Sequence, residues 1–485
     1  MRVALINEGT YPYVLGGVST WCDQLVQGLP EVTWHLVTIV GQAPGAAALP
    51  LPPGVASLTA VPIWAAPGRS HPGAARSAAG LLRGMLGEST ADAAQFRTAL
   101  RDLALPDSGG QSWWCRACRR APSACRRHGP PGRHPLRGVP VAEILSEVWA
   151  LALRSGVRLP RLSLRDADEA AALLEHAVRP LGAAVPPVDV CHANANGLAA
   201  LVALAAKWRW GVPFLLTEHG VYLRERYLSA GAHPPAVKVA LLRFHRALAR
   251  LAYAEADAVT PVSSFNRRWE ERHGARPERI TVIPNGVEPD RFAPLPAEPD
   301  VPTIAWVGRV DPLKDLHTLI RALAAVRLRV PQARLHLAGP VPAGNEGYAQ
   351  SCHDLAAQLG VSGAVDFAGP VSTSRDAFAA GHVAALSSIS EGMPYTVVEA
   401  MMCRRATVST DVGGVAEMVG DAGLVVPPRD PEAFAAACVR LLDNEPYRRE
   451  LADRGRRRAL ENFTLRRCVD AYRTQYVTLT AAGRR

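Results

Sequence analysis

Arg2-Val3-Ala4-Leu5-Ile6 opens the chain as a short apolar run, and Tyr13-Val14-Leu15-Gly16-Gly17-Val18-Ser19 follows it. Thr20 to Leu29 then carries Trp21, Leu25 and Val26 at helical spacing, and residues 32–40 form a second run rich in β-branched and aromatic side chains. Continuous apolar runs bounded by turn residues read as strands buried on both faces. The order strand, glycine loop, helix, strand opens a doubly wound α/β domain.

Outward from that start, the pattern dissolves between about 41 and 140, where Pro, Gly, Ala and Arg dominate and a single helix is expected around 74–104. This stretch reads as an irregular insertion. Strands are expected at 189–192, 214–217, 258–263 and 280–283, with helices at 197–208 and 235–254. Residues 292–302 are Pro-rich and read as a linker. Strand–helix alternation restarts at Thr303, runs to about 427, and leads into one last helix from Pro431 to Leu460. The expected layout is a first domain over 1–291, a second over 303–462, and a tail over 463–485 with a short amphipathic helix that can pack back on the first domain.

The chain has 485 residues, 48% hydrophobic and 20% charged, which excludes wholesale disorder and suits two domains. Its net charge of +10 favours acidic partners without choosing among nucleotides, anionic polymers and membrane surfaces. Nine cysteines, an odd number and mostly in apolar surroundings, point to a reducing compartment. The apolar run at the N-terminus is too short for a signal peptide, and the uncharged stretch 41–68 holds six prolines and cannot span a bilayer. The expectation is a soluble cytoplasmic protein, with peripheral attachment to the inner face of a membrane left open.

Gly308-Arg309-Val310-Asp311-Pro312-Leu313-Lys314 sits where an expected strand ends and a helix begins. Ligands of open α/β sheets bind at that edge, and two cations flanking a tight turn can close on one diphosphate. The plain alternative is a local ion pair and a solvated lysine. In Glu391-Gly392-Met393-Pro394-Tyr395-Thr396-Val397-Val398-Glu399, Pro394 suits a first helical turn. Glu391 then lies in the loop, and Glu399 lies in the second turn on broadly the same side. A helix start binds phosphate, and a carboxylate beyond it can take a vicinal diol such as ribose. Val397, Val398, Ala400 and Met401 mark this helix as buried, so its acid needs a partner. Gly16-Gly17 lets a backbone approach a phosphate closely, and His219 in Thr217-Glu218-His219-Gly220 stands just past a strand end.

These residues resemble the family-four glycosyltransferases of the GT-B fold, with Ile283-Pro284-Asn285-Gly286-Val287-Glu288 adding to the match. Glu8-Gly9-Thr10-Tyr11-Pro12-Tyr13 and Thr217 to Arg226 resemble the PelF branch, which makes exopolysaccharide from a UDP-sugar. The resemblance implies two Rossmann-like domains facing a cleft and transfer of a hexosyl unit, with retention, from a nucleoside diphosphate sugar to a saccharide or other hydroxyl. It implies that Arg309 and Lys314 hold the phosphates, Glu399 the ribose, Glu391 the sugar hydroxyls, and Gly16-Gly17 the phosphate from the other domain. His219 would face the sugar, and the backbone around Gly369 and Val371 would read the base. The catalytic set implied is His219, Arg309, Lys314 and Glu391, with Gly392, Met393 and Pro394 completing the donor site. No metal is required for that chemistry, since fixed cations and a helix N-terminus stabilise the departing diphosphate. Asp166-Ala167-Asp168 looks like a solvated helix face rather than a metal motif.

The departure from the family is Cys115, Cys118, Cys125 and His128, spaced either as a structural zinc knuckle or as reduced thiols in a basic loop. Synthase-complex or membrane partners stay open, and no nucleic acid is expected. Two rivals of the same fold are a nucleotide-sugar epimerase and a catalytically silent nucleotide- or glycan-binding regulator.

Overall fold

The computed structural model describes residues 1–42, 45–64, 70, 73–105, 134–229, 231, 233–295 and 297–483. Cys115, Cys118, Cys125 and His128 lie outside the described residues. The chain divides into two compact units. The first takes Met1–Pro261, Arg267–Val282 and Tyr472–Arg485, and the second takes Val262–Asn266 and Ile283–Ala471.

The first unit runs β1 (Arg2–Glu8), α1 (Gly17–Gly28), β2 (Thr33–Val40), β3 (Val55–Pro62), α2 (Ala74–Leu86), α3 (Thr90–Ala104), α4 (Val141–Arg154) and α5 (Leu164–Ala177). It continues with β4 (Val190–Ala193), α6 (Leu198–Trp210), β5 (Phe214–Glu218), α7 (Tyr222–Ser229), α8 (Pro235–Glu255) and β6 (Ala258–Pro261). Helix α9 (Ser264–Arg272) follows. The second unit holds β7 (Thr303–Val307), α10 (Leu316–Arg327), β8 (Arg334–Ala338), α11 (Glu346–Gln358), β9 (Val365–Gly369), α12 (Ser374–Ala379), β10 (Val383–Leu386) and α13 (Tyr395–Met402). It closes with β11 (Ala406–Thr410), α14 (Val415–Val419), β12 (Leu424–Val426), α15 (Pro431–Leu442) and α16 (Glu445–Asn462), before α17 (Leu465–Ala482).

Each unit is built on a six-stranded sheet whose pairings are all parallel: β3-β2-β1-β4-β5-β6 in the first and β12-β11-β10-β7-β8-β9 in the second. Renumbered within its unit, the second order is the first repeated. In both, the order reverses beside the opening strand, between β1 and β4 and between β7 and β10. That reversal leaves a crevice at the carboxyl ends of the strands, where ligands of such sheets bind. Central strands are buried through their middle residues, as Val3 to Ile6 and Ile304 to Trp306 show, because helices cover both faces.

The described residues between 41 and 105 depart from the expectation of an irregular insertion. β3 pairs with β2 from Trp34–Val55 to Val40–Pro62, and α2 and α3 bury Leu81, Leu82, Met85, Phe96 and Leu100 in the first core. The glycines that break the sequence pattern are packing residues: a Cβ at Gly84 would stand 2.6 Å from the Phe96 amide nitrogen. A second departure is 280–283, which contributes one isolated bridge, Val259 to Ile280, between Pro277 and Pro284. A third is the expected helix from Pro431 to Leu460, which is two helices. The first ends at Leu442 with Asp443 as its C-cap, and Asn444 caps the second by accepting from the Tyr447 amide, with Pro446 in the new first turn. Within the Pro-rich 292–302, Phe292 and Leu295 are buried in the second unit's core. Asp166 forms a capping box with Ser163 at the start of α5.

Candidate active site

In the second unit the loops after β7 and β10 meet at the crevice. β7 ends at Val307, and Gly308 follows with its amide donating to the Ala338 carbonyl. A Cβ at Gly339 would stand 1.7 Å from the Gly308 oxygen, and the Gly339 amide donates to Gly369, so three glycine backbones interlock at the ends of β7, β8 and β9. Arg309 is exposed there and makes no hydrogen bond or ion pair with another described residue. Pro312–Lys314 is a single 3-10 turn capped by Asp311, and Asp315 then caps α10 in a left-handed conformation.

That turn aims Lys314 at the loop after β10. The Lys314 Nζ donates to Glu391 Oε1 at 2.5 Å, and Ser388 Oγ donates to the same oxygen at 2.6 Å. Ser387 Oγ donates to the Lys314 carbonyl at 2.7 Å, and the Ile389 amide to the Leu313 carbonyl at 2.8 Å. An ammonium has three donors, so the ion pair uses one and leaves two. Glu391 Oε2 receives no hydrogen bond from the described residues. The carboxylate is therefore oriented by the protein on one side and open on the other.

The chain then turns through Gly392, Met393 and Pro394 into α13. Gly392 accepts from the Gly414 amide at 2.8 Å, and a Cβ at Gly413, whose φ is +60°, would stand 1.8 Å from the Glu391 oxygen. Met393 is buried, with its carbonyl accepting from Asn285 Nδ2 at 2.9 Å, and buried Pro394 occupies the cap position of α13. Glu399, in the second turn, accepts from Ser374 Oγ at 2.6 Å. Burial pushes its carboxyl above the usual range, while the Ser374 hydrogen bond and the Arg291 charge pull it back. Gly369 ends β9 at a φ of +70°, with half-buried Val371 two residues on.

The first unit treats its crevice differently. Glu8, at the end of β1, accepts on Oε1 from the Ala199 amide at the start of α6 (2.8 Å) and on Oε2 from the Tyr222 hydroxyl (3.0 Å). Burial raises its carboxyl, against the pull of the Ala199 amide and of Arg226. A Cβ at Gly197 would run into both the Tyr222 ring and the Glu8 carboxylate. Gly16 is extended, and a Cβ there would meet nothing within 4 Å, so the fold itself does not demand glycine at that exposed turn before α1. Gly17 is the first residue of α1. His219 is half-buried past β5, its ring edge-on to Trp21 at 4.6 Å. Behind it, buried His192 bonds Tyr476 through Nδ1 and Thr217 through Nε2, both at 2.7 Å, and burial keeps it neutral, with its pKa pushed down to about 3.

The structure thus brings together Lys314 and Glu391, and links Gly392 to Pro394 and Glu399 through one short helix. Ser374, Ser387, Ser388 and the Gly413-Gly414 brace were not anticipated. Only Ser388, three residues before Glu391, was open to a reading by spacing. The six described cysteines are buried, and none of them forms a disulfide with another described residue. Among the described residues no cluster of His, Cys, Asp and Glu is placed to hold a metal, and no helix is long and apolar enough to cross a membrane.

The family model described as "Glycosyl transferases group 1" matches residues 301–444, which include Arg309, Lys314, Ser374, Glu391 and Glu399. A second, described as a domain of unknown function, DUF3492, matches 1–115 and 142–278. D-inositol 3-phosphate glycosyltransferase of Geodermatophilus obscurus is 31% identical over 320 residues, 61% of this chain and 69% of that protein. The chain belongs to the group 1 glycosyl transferases. D-inositol 3-phosphate glycosyltransferase 2 of Catenulispora acidiphila is 31% identical over 284 residues, and this group 1 glycosyl transferase spans 65% of its length. Among solved structures, Anabaena HepE in complex with UDP superposes with a TM-score of 0.62 at 16% identity, covering 99% of this chain and 100% of that one. Sucrose-phosphate synthase of Thermosynechococcus elongatus does so at 0.64 and 18%, covering 99% of each chain. The fold of this group 1 glycosyl transferase is accordingly GT-B, with two Rossmann-like α/β domains.

Proposed function

We propose that this glycosyltransferase moves a hexosyl unit from a UDP-sugar, with retention, to a saccharide or other hydroxyl acceptor in cytoplasmic synthesis of an exopolysaccharide or glycoconjugate. The observation that carries the reading is the cluster of Lys314, Glu391 and Ser388 at the sheet reversal, with Arg309, unpaired among the described residues, two residues past β7 and Glu399 on the adjoining helix. Fixed cations at that position suit the charge that develops on a leaving diphosphate, and they need no metal to do so. HepE, which shares the fold, has been solved with UDP and with UDP and glucose, which favours uridine as the nucleotide. The PelF-like segments around Glu8 and Thr217–Arg226 favour the exopolysaccharide assignment, since the Glu8–Tyr222 bond ties those two segments together.

In this reading the anomeric C–O bond breaks while Arg309 and Lys314 hold the β-phosphate. The open oxygen of Glu391 accepts from a sugar hydroxyl, Glu399 accepts from the ribose, and the backbone at Gly369 and Val371 meets the base. The acceptor hydroxyl attacks from the face the diphosphate leaves, passing its proton to the departing phosphate oxygen. His219 serves the sugar, and Gly16-Gly17 a phosphate. Incubation with UDP-, GDP- and ADP-sugars and a panel of saccharides, read by mass and by the anomeric proton signal of the product, tests this. Release of UDP with a product of the donor's anomeric configuration is expected, with or without a chelator. Inversion, or transfer only with added metal, contradicts it.

A further inference from the structure

We propose that Ser374 is a positioning residue that keeps Glu399 ionised and turned toward the ribose, and so sets the preference of the site for ribonucleotides over deoxyribonucleotides; this rests on the donor reading above. Ser374 is the first residue of α12, and the Thr373 side chain caps that helix by accepting from the Asp376 amide. The cap fixes where α12 begins. The Ser374 hydroxyl therefore arrives from outside α13, after β9, and donates to Glu399 Oε2 at 2.6 Å.

Glu399 Oε1 receives no donor from the described residues. One oxygen is held and one is open, which is the arrangement a ribose hydroxyl needs from an acceptor. The charged and titratable surroundings are few. Arg291 acts on the carboxylate directly, and Cys403 lies close enough for the Glu399 charge to act on its thiol. Arg375, Arg405 and Arg456 act on Cys403 in turn, while Asp376 is turned to Ser372 and Thr373. Burial favours the protonated acid, and a protonated Glu399 exchanges an acceptor for a donor. The Ser374 hydrogen bond opposes that exchange, because a bond to the charged form favours it. Without the hydroxyl, the carboxyl titrates at higher pH, and ribose binding is lost as pH falls.

The test is calorimetric titration of the full chain with UDP and with 2′-deoxy-UDP, each at about pH 6 and about pH 8, the lower lying closer to the carboxyl range. Wild type is expected to prefer UDP at both. Ser374→Ala should lose about tenfold in UDP affinity at the lower pH and much less at the higher, the scale of one hydrogen bond to a charged group. Its affinity for 2′-deoxy-UDP should change less. Ser374→Thr should restore the wild-type profile, and Ser374→Ala should add nothing to Glu399→Gln, which has no proton to gain. UDP binding with a ribose preference and a pH profile that Ser374→Ala leaves unchanged overturns this inference alone. Absence of UDP binding by wild type overturns the donor reading and this inference with it.

Discussion

The two sheets share one strand order, yet they use the point of reversal in opposite ways. In the second unit the loops after the first and fourth strands bring up Lys314 and Glu391, each with bonding capacity left over. In the first unit the same place is closed by Glu8, whose two oxygens are spent on the start of α6 and on Tyr222. A buried carboxylate that accepts on both oxygens is scaffold, whereas one held on a single side is poised for a ligand. The contrast extends inward. Glu218, His192 and Tyr253 of the first unit bond one another's neighbourhoods, with Tyr253 donating to Glu218 and His192 satisfied on both nitrogens.

The largest expected effect breaks the second site and leaves the fold. Lys314→Ala should lower kcat/KM by about a hundredfold or more, the scale of removing one preorganised charge or donor from a transition state, with the melting temperature little changed. Turnover kinetics beside a melting curve check both halves. Glu8→Ala should show the reverse, because it strands the Ala199 amide and the Tyr222 hydroxyl. A loss of about 1–3 kcal/mol in denaturant unfolding is expected from such unsatisfied groups. Loss of turnover with full stability would mean that Glu8 meets substrate.

Glu270 gives a pH-dependent case. It is fully buried, and burial followed by the Glu218 charge raises its carboxyl; Glu218 is raised by burial as well. The folded pair keeps a proton that the unfolded chain sheds above the ordinary carboxyl value of 4.5. Stability should therefore fall as pH rises through that range and beyond, by up to about 1.4 kcal/mol per pH unit for one retained proton. Glu270→Gln should flatten the slope in a series of melts across pH, and an unchanged slope would place the titration elsewhere. The smallest effect is Tyr476→Phe, which removes one hydrogen bond to His192 and should cost about 1 kcal/mol. A loss of activity instead would tie the C-terminal helix to the chemistry.

Most of the second site was legible because its chemistry is local. Gly308, Arg309 and Lys314 fall within seven consecutive residues, and Pro394 marks the helix start that separates Glu391 from Glu399. Ser374 was not legible, because its contact with Glu399 spans 25 residues and nothing in a serine announces it. In the first unit the strands with continuous apolar runs were read correctly, but β3 was not. It is an edge strand of mainly small residues, only partly buried, preceded by Pro52 and Pro53 and ending at Pro62. α2 and α3 were blurred into one helix because Gly80, Gly84 and Gly87 look like punctuation; a Cβ at Gly84 would strike the α3 backbone, and Gly87 ends α2. The tertiary partner, not the local preference, decides what such glycines mean.

The central claim is that the second unit holds a nucleoside diphosphate between Lys314 and Glu399. Calorimetric titration of UDP into the wild-type chain and into Glu399→Ala tests it most directly. Saturable binding by wild type that Glu399→Ala weakens at least about tenfold, the scale of a lost charge-assisted hydrogen bond, is the expected result. Equal binding by both proteins, or none by either with UDP, GDP and ADP alike, would contradict it.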